Sequence, residues 1–318
     1  MQLLVSLLFP LLFLTASVKA SCPSAESVSP CECEQQEDED AIDLICYGES
    51  ITLDQLKSSL KALDRNDPVV LFLDEMNLGS LPSNFFEGFN IRKLEISHCS
   101  LDSLSSDGGK PLTGLEDTLV ELDIMTSFGE DKGATKLDLG HLRKLEAVDM
   151  SFNAITELGD DWFAEGPASL IHVLFSNNNI KKVGDKAFAN VNNLESFHFD
   201  GNRFGHLKRS MLPNPASRLE EMELDNNAFT SLPEDIFTNM PALKRLAIRT
   251  NGLTRIPEQT FKPIWDQVNI VDLRGNAIIC DSQLDWIARL KSKTAVFGRC
   301  DGPEDQRGVE LNDFISGR

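Results

Sequence analysis

The hydrophobic residues in the middle of the chain follow a spacing that neither a single helix nor a single strand would bury. In the segment LEEMELDNNAFTSLPEDIF, residues 219–237, the apolar positions are Leu219, Met222, Leu224, Phe229, Leu232 and Phe237. A strand buries alternate residues, and a helix buries residues three or four apart. Met222 and Leu224 have the period of a short strand. The segment therefore predicts a strand that points this pair inward, after which the chain turns.

The same pattern recurs at a nearly constant period. When the chain is aligned on L-x-x-L-x-L-x-x-N-x-L, one equivalent position, every 24 or 25 residues, is occupied by Asn153, Asn178, Asn202, Asn227, Asn251 and Asn276. Met76, Cys99 and Ser127 fill this ladder position upstream, which gives nine units. The pattern resembles the leucine-rich repeat family over about residues 67–279. Because each asparagine lies where the chain leaves a strand, we expect its amide to satisfy buried backbone groups and to form a ladder through the stack.

The resemblance implies an α/β solenoid, an arc with a parallel sheet on its concave face and an irregular or 3₁₀ convex face. No unit can bury its own apolar face, so each coil should pack against its neighbours. Ten residues after the ladder position most units have an aromatic residue, which predicts an apolar spine on the convex side: Phe86, Phe163, Phe188, Leu212, Phe237 and Phe261. We expect Cys99 to be a small buried filler, because burial makes a thiol unreactive.

The two ends of the chain differ from this middle. Residues 1–20 contain a short apolar run followed by small residues, which predicts a secretory signal peptide and a secreted, extracellular protein. Six of the seven cysteines lie near the ends, as expected for an oxidising compartment. The spacing of the first four resembles the family's cysteine-rich N-terminal cap, which we assign to residues 21–66. Residues 280–318 resemble a reduced C-terminal cap. The pairs implied by the resemblance are Cys22–Cys33, Cys31–Cys46 and Cys280–Cys300.

Catalytic and cofactor-binding motifs are absent from the sequence. It contains no H-E-x-x-H, G-x-S-x-G, G-x-G-x-x-G or phosphate-binding G-x-x-x-x-G-K-[ST] motif. His172 and His198 fall on neighbouring predicted strands near acidic residues, which could indicate acid-base chemistry or a metal site, and an enzyme acting from the concave face is a further alternative. An open face excludes water poorly and no second cluster of ligands supports such a site, so we interpret them as exposed recognition residues. We expect no enzyme activity, no cofactor and no metal site. The formal net charge of −20 argues against nucleic acid as a partner, and we expect no membrane association.

The outward strand positions form the predicted binding surface. Its candidate residues are Asp123, Asp149, Phe152, His172, His198, Asp200, Glu221, Glu223, Asp225, Arg245, Arg249 and Arg274. They change from acidic to basic along the chain, and such segregation would steer and orient a protein partner. A generic solvated surface is the alternative interpretation. Aromatic anchors are few, with Phe72 and Phe152 the main candidates.

A closer resemblance extends over nearly the whole chain after the signal peptide. The segments CPSAESVSPCECEQQ and DLRGNAIICDSQLDWI, nine repeats and an irregular third unit, FGEDKGATKLDLGHLRKL, resemble arthropod secreted proteins related to the non-catalytic subunit of shrimp (Oplophorus-type) luciferin 2-monooxygenase. In that family a smaller chain carries the light-producing chemistry. The resemblance implies a secreted protein-binding scaffold, and the partner would be a small secreted oxidase. An extracellular matrix or innate-immune recognition protein, binding glycans, microbes or other proteins, is the alternative.

Overall fold

The computed structural model describes residues 20–35, 40–129, 137–290 and 292–317. All but the last residue of the proposed signal peptide lies outside the described residues, as does the part of the irregular third unit between residues 130 and 136. Within the described ranges, no helix combines the length and the apolar character that crossing a membrane would require.

The described helices and strands alternate along the chain with short connections. In chain order they are α1 (Ala25–Val28), β1 (Glu32–Gln35), β2 (Ile42–Tyr47), α2 (Leu53–Lys61), β3 (Val69–Asp74), β4 (Asn77–Ser80), β5 (Ile91–Ser97), β6 (Ser100–Ser103), β7 (Glu121–Met125), β8 (Ala147–Asp149), β9 (Glu157–Leu158), β10 (His172–Leu174), β11 (Lys182–Val183), β12 (Ser196–His198), β13 (Glu221–Glu223), β14 (Arg245–Ala247), α3 (Glu258–Trp265), β15 (Ile270–Asp272), β16 (Ile278–Ile279), α4 (Asp285–Leu290), β17 (Ala295–Phe297), β18 (Cys300–Gly302) and α5 (Leu311–Ser316). The helices are short and lie mainly at the two ends.

Twelve strands form one sheet in the order β1-β2-β3-β5-β7-β8-β10-β12-β13-β14-β15-β17. Its neighbouring strands are parallel except β1 and β2, which are antiparallel. Because the strand order follows the chain order, each coil pairs only with the coil before it and the coil after it. This is the leucine-rich repeat arc that the periodicity predicts, with the sheet on the concave face.

One row of side chains runs through the sheet in register and points into the core. Its members are all buried: Leu44, Leu71, Leu94, Leu122, Val148, Val173, Phe197, Met222, Leu246, Val271 and Val296. The residues on either side of each of them face outward, since successive strand residues alternate between faces. The single continuous core lies between this row and the convex side.

Each coil leaves its strand through a residue in the left-handed conformation, directly before the ladder position. All nine units share this turn, and the residues have positive φ: Glu75, His98, Thr126, Phe152, Asn177, Gly201, Asn226, Thr250 and Gly275. The turn directs the next side chain into the coil. Asn178, for example, donates from Nδ2 to the carbonyl oxygens of Met150 (2.8 Å) and Phe175 (3.1 Å), and its Oδ1 accepts from the Ile155 N–H (3.2 Å). The amide thereby joins two adjacent coils.

The same role is performed upstream by other residue types. The Ser127 hydroxyl donates to the Met125 carbonyl (2.8 Å) and accepts from the Cys99 N–H (3.1 Å). The Cys99 thiol donates to the Leu73 carbonyl and accepts from the Met76 N–H, both at 3.4 Å. Cys99 is free and buried, and burial raises the pKa of its thiol to about 11. It is therefore a member of the ladder as well as a buried filler.

The predicted spine residues Phe86, Phe163, Phe188, Leu212, Phe237 and Phe261 are all buried. Aromatic rings of neighbouring coils pack directly, with centroids 5.4 Å apart for Phe163 with Phe188 and for Phe237 with Phe261. Such contacts add to the stabilisation that burial of the rings provides.

Both ends of the stack carry disulfide-bonded caps. At the first end the pairs are Cys22–Cys33 and Cys31–Cys46, and at the other end the pair is Cys280–Cys300. The Thr52 hydroxyl accepts from the Gln55 N–H and caps α2, while Asp281 accepts from the Gln283 N–H before α4. These helices cover apolar surface that a terminal coil would otherwise expose.

The third unit is irregular in sequence, but its apolar residues still contribute to the core. Leu137, Leu139, Leu142 and Leu145 are all buried. Their spacing differs from that of the other units, so alignment on the repeat pattern misses them. The core continues across this junction.

Candidate protein-binding face

The concave face consists of the outward-pointing residues of the sheet, arranged in rows across the strands. One row includes Lys93, Glu121, His172, Glu221 and Arg245, and the next includes Glu95, Asp123, Asp149, His198, Glu223 and Asp272. A third row, just past most of the strand ends, contains Asp200, Asp225, Arg249 and Arg274. Adjacent strands are about 4.8 Å apart, so neighbours within a row are within reach of each other.

The first end of the concave face contains several partly exposed apolar side chains. Ile45 and Phe72 are direct neighbours in the central row, and both are partly exposed, as is Val70. Tyr47 is 60% exposed, and its hydroxyl donates to Glu75 at 2.7 Å. Phe72 is one of the predicted anchors, but Ile45 and Tyr47 were not predicted, because β2 precedes the first unit of the repeat alignment. The segment IDLICY, residues 42–47, has the alternation of a strand, and this pattern could have identified them.

An acidic group with one lysine lies next to this end. The Lys93 ammonium is 2.9 Å from Glu121, 2.9 Å from Asp123 and 3.6 Å from Glu95. Burial disfavours the charged forms, yet the hydrogen bonds that Lys93 donates to Asp123 and Glu121 outweigh it and raise the pKa of this ammonium. Burial raises the pKa of the Asp123 carboxyl more than Lys93 lowers it, and the pKa rises to about 6.

The middle of the concave face brings His198 together with two glutamates. His198 Nε2 is 3.9 Å from Glu221 Oε2, and His198 Nδ1 is 4.0 Å from Glu223 Oε2. His172 lies elsewhere, with its Nδ1 3.1 Å from the Ser196 hydroxyl. Asp149 is on β8, one strand further from His198 than His172 is. Its carboxylate accepts a hydrogen bond from the Ser151 N–H at 2.8 Å.

The arginines at the far end are paired with acidic residues. Arg245 contacts Glu221 at 2.6 Å, Arg249 contacts Asp225 at 2.6 Å, and Arg274 contacts Asp272 at 2.9 Å. The sequence predicts a change from acidic to basic residues along the face. In the structure the far end is instead a region of mixed charge, since each guanidinium has a carboxylate beside it.

Two aromatic residues lie on the edges of this surface. The guanidinium of Arg274 stacks over the ring of Phe297, 5.8 Å from its centroid, and Phe297 is 45% exposed. Phe152 is 58% exposed but belongs to the left-handed turn after β8. It therefore lies at the edge of the concave face and not within a strand. The two ends of the face thus offer aromatic contact area, with charged residues between them.

Comparisons with known proteins agree with the repeat architecture. The leucine rich repeat family model matches residues 143–204 and 217–278. The Oplophorus-luciferin 2-monooxygenase non-catalytic subunit of Oplophorus gracilirostris is 23% identical over 324 residues, which cover 91% of this chain and 86% of that protein. Chaoptin of Drosophila melanogaster is 29% identical over 180 residues, 55% of this chain but only 13% of Chaoptin.

A solved structure has the same fold. A chain in the octameric complex of Latrophilin 3, Unc5D and FLRT2 aligns with a TM-score of 0.57 at 21% identity, covering 83% of this chain and 71% of that one. The FLRT2 protein of Rattus norvegicus is also similar in sequence, with 24% identity over 55% of this chain and 34% of FLRT2.

Proposed function

We propose that this leucine-rich repeat protein is a secreted, non-catalytic scaffold that binds another protein on its concave face. The observation that carries the proposal is the similarity to a non-catalytic monooxygenase subunit over 91% of this chain and 86% of that subunit. A match of this extent covers most of the length of both proteins, which supports a shared role better than a match to the repeats alone would. In the proposed protein, residues 1–20 are a signal peptide, residues 21–66 and 280–318 are caps, and the repeats occupy residues 67–279.

The concave face has the physical properties that protein recognition requires. Its backbone is held by the ladder, so the outward side chains are presented from a fixed framework and little ordering is needed on binding. Tyr47, Phe72 and Phe297 supply apolar contact area at the two ends. The acidic residues between them would steer a positively charged partner surface towards the face.

We propose further that the partner is a small secreted oxidase, which the repeat protein stabilises. Co-secretion of the two chains should raise the yield of the oxidase, and the two should co-elute on gel filtration. Asp149→Arg, in the middle of the concave face, should weaken the complex. The matched control is Glu234→Arg, which makes the same change in charge at an exposed residue outside the sheet. Separate elution of the two wild-type chains, or an equal loss in the control, would contradict this assignment.

Recognition of other extracellular proteins is the second candidate function. It is favoured by the solved complex in which an FLRT2 leucine-rich repeat region assembles with Latrophilin 3 and Unc5D. Capture of the chain on immobilised matrix proteins or glycans, without any oxidase chain, would support it. Loss of that capture in Asp149→Arg but not in Glu234→Arg would place the contact on the concave face.

A further inference from the structure

Three side chains with metal-binding atoms converge in the middle of the concave face. One ligand atom from each of His198, Glu221 and Glu223 lies within 4.8 Å of the other two. His198 and Glu223 are direct partners across β12 and β13, and Glu221 lies two residues before Glu223 on the same strand. The convergence is therefore produced by the sheet itself, because residues i and i+2 of a strand share a face.

The imidazole of His198 has an unused nitrogen in this cluster. Its Nε2 is shielded from solvent and has no hydrogen-bond partner among the described residues, and Glu221 Oε2 lies 3.9 Å from it. A shielded polar atom without a partner is unfavourable unless a ligand satisfies it. His172 on the same face does not have this property, since Ser196 lies within hydrogen-bond distance of its Nδ1.

Arg245 orients both carboxylates without occupying the oxygens that face the imidazole. Its Nε is 2.6 Å from Glu221 Oε1, and its Nη2 is 3.5 Å from Glu223 Oε1. The Oε2 atoms of both glutamates remain directed towards His198. Such support from outside the ligand set is common around metal sites, where it holds the ligands in position. Two carboxylates and one guanidinium leave the cluster net negative, which favours a cation.

We propose that His198, Glu221 and Glu223 bind a divalent transition-metal ion, with zinc the best match. One imidazole nitrogen and two carboxylate oxygens are ligands that zinc accepts in sites with three protein ligands and an open position. Magnesium and calcium prefer an all-oxygen set. Glu221 Oε2 faces Nε2 and Glu223 Oε2 faces Nδ1, and the three ligand atoms lie within 4.8 Å of one another. Ligands about 2.0–2.2 Å from zinc are roughly 3.4 Å apart in a tetrahedral site, so the two flexible glutamate side chains must close by up to about 1.4 Å onto one imidazole nitrogen. The open position faces the concave surface, where water or a partner side chain can complete the coordination.

Titration of the purified full-length protein with zinc chloride, followed by calorimetry, tests this proposal. We expect one zinc ion per chain in the wild type. His198→Ala, Glu221→Gln and Glu223→Gln should each weaken binding by about tenfold or more, since even residues that only support metal ligands change affinity by about 10- to 100-fold. His172→Ala is the matched control, a histidine on the same face with its own partner, and its affinity should stay within about twofold of the wild type.

A second readout identifies the ligand directly. Copper(II) bound to the wild type should show nitrogen hyperfine structure in electron paramagnetic resonance, and this structure should disappear in His198→Ala but persist in His172→Ala. Circular dichroism establishes that each variant is folded. The proposal is overturned if the wild type binds no zinc up to millimolar concentration, if His198→Ala binds zinc as tightly as the wild type, or if both histidine variants lose binding equally.

Discussion

The first coils of the sheet, whose ladder positions are Met76, Cys99 and Ser127, differ from the later coils, which have asparagine from Asn153 to Asn276. Strands β3, β5 and β7 in the first coils have six, seven and five residues, whereas β8, β10, β12, β13, β14 and β15 in the later coils have three each. The family model matches only the later coils. Both groups nevertheless share the left-handed turn and an inward polar group in nearly every unit. In most coils a side chain thus bonds to backbone groups of two coils, and asparagine is one of several residue types that do so.

The largest effect should come from removing an asparagine from the later coils. Asn202 is buried, donates to the carbonyls of Phe175 and Phe199, and accepts from the Ile180 N–H. Asn202→Ala leaves these buried groups unpaired, at about 1–3 kcal/mol each. We expect the free energy of unfolding to fall by about 3 kcal/mol or more, measured by chemical denaturation. Asn192→Ala, at an exposed asparagine one coil earlier, should change it by less than about 0.5 kcal/mol.

A smaller effect is expected at Cys99, where two substitutions separate hydrogen bonding from packing. Ser127 shows that a hydroxyl performs the ladder role in the next coil. Cys99→Ala removes the bonds to Leu73 and Met76 and should lower the free energy of unfolding by about 1–3 kcal/mol. Cys99→Ser keeps a donor and an acceptor and should lose less. If Cys99 only fills space, alanine will be the better tolerated of the two, which would show that the first coils lack a ladder at this position.

The repeat period allowed the fold to be predicted, but several details depend on pairing between coils. Aligned leucines and asparagines identify the inward rows because every coil meets the same environment. The left-handed turn was not predictable from residue type, since glycine occupies only two of the nine positions. The polar role of Cys99 depends on backbone groups of other coils, which composition does not reveal.

Only part of the concave face and its His198 cluster could be predicted from the sequence. His198 and Glu223 hold the same position relative to the asparagines of their units, so the alignment contained their contact. The orientation of both glutamates depends on Arg245, one coil further on, and was not predictable. Ile45 and Tyr47 escaped notice because their strand precedes the first unit of the alignment.

The left-handed turn common to both groups of coils can be tested by substitution with glycine. Thr250 is exposed and has φ of 51°, a conformation that is about 1–2 kcal/mol unfavourable for residues with a β-carbon. Thr250→Gly should therefore raise the free energy of unfolding by about 0.5–1 kcal/mol, after allowance for the greater entropy of glycine in the unfolded chain. Thr254→Gly is the control at an exposed threonine whose φ is not positive, and there the same change should be destabilising. Destabilisation at both positions would mean that the turn carries little strain.

The junction between the two groups of coils should respond to pH through His141. Burial lowers the pKa of its imidazole, while Glu116, Asp138 and Lys110 lie near enough to modify the shift. The folded state therefore binds a proton less readily than the unfolded chain, whose histidine has a pKa of about 6.5. The stabilisation from neutral His141 is fully present above that value and is lost as the pH falls below it.

We expect His141→Gln to flatten the dependence of the free energy of unfolding on pH between 7 and about 5. His206→Gln, the same change at an exposed histidine, is the matched control. Equal slopes in the wild type and His141→Gln would show that the junction does not sense this proton.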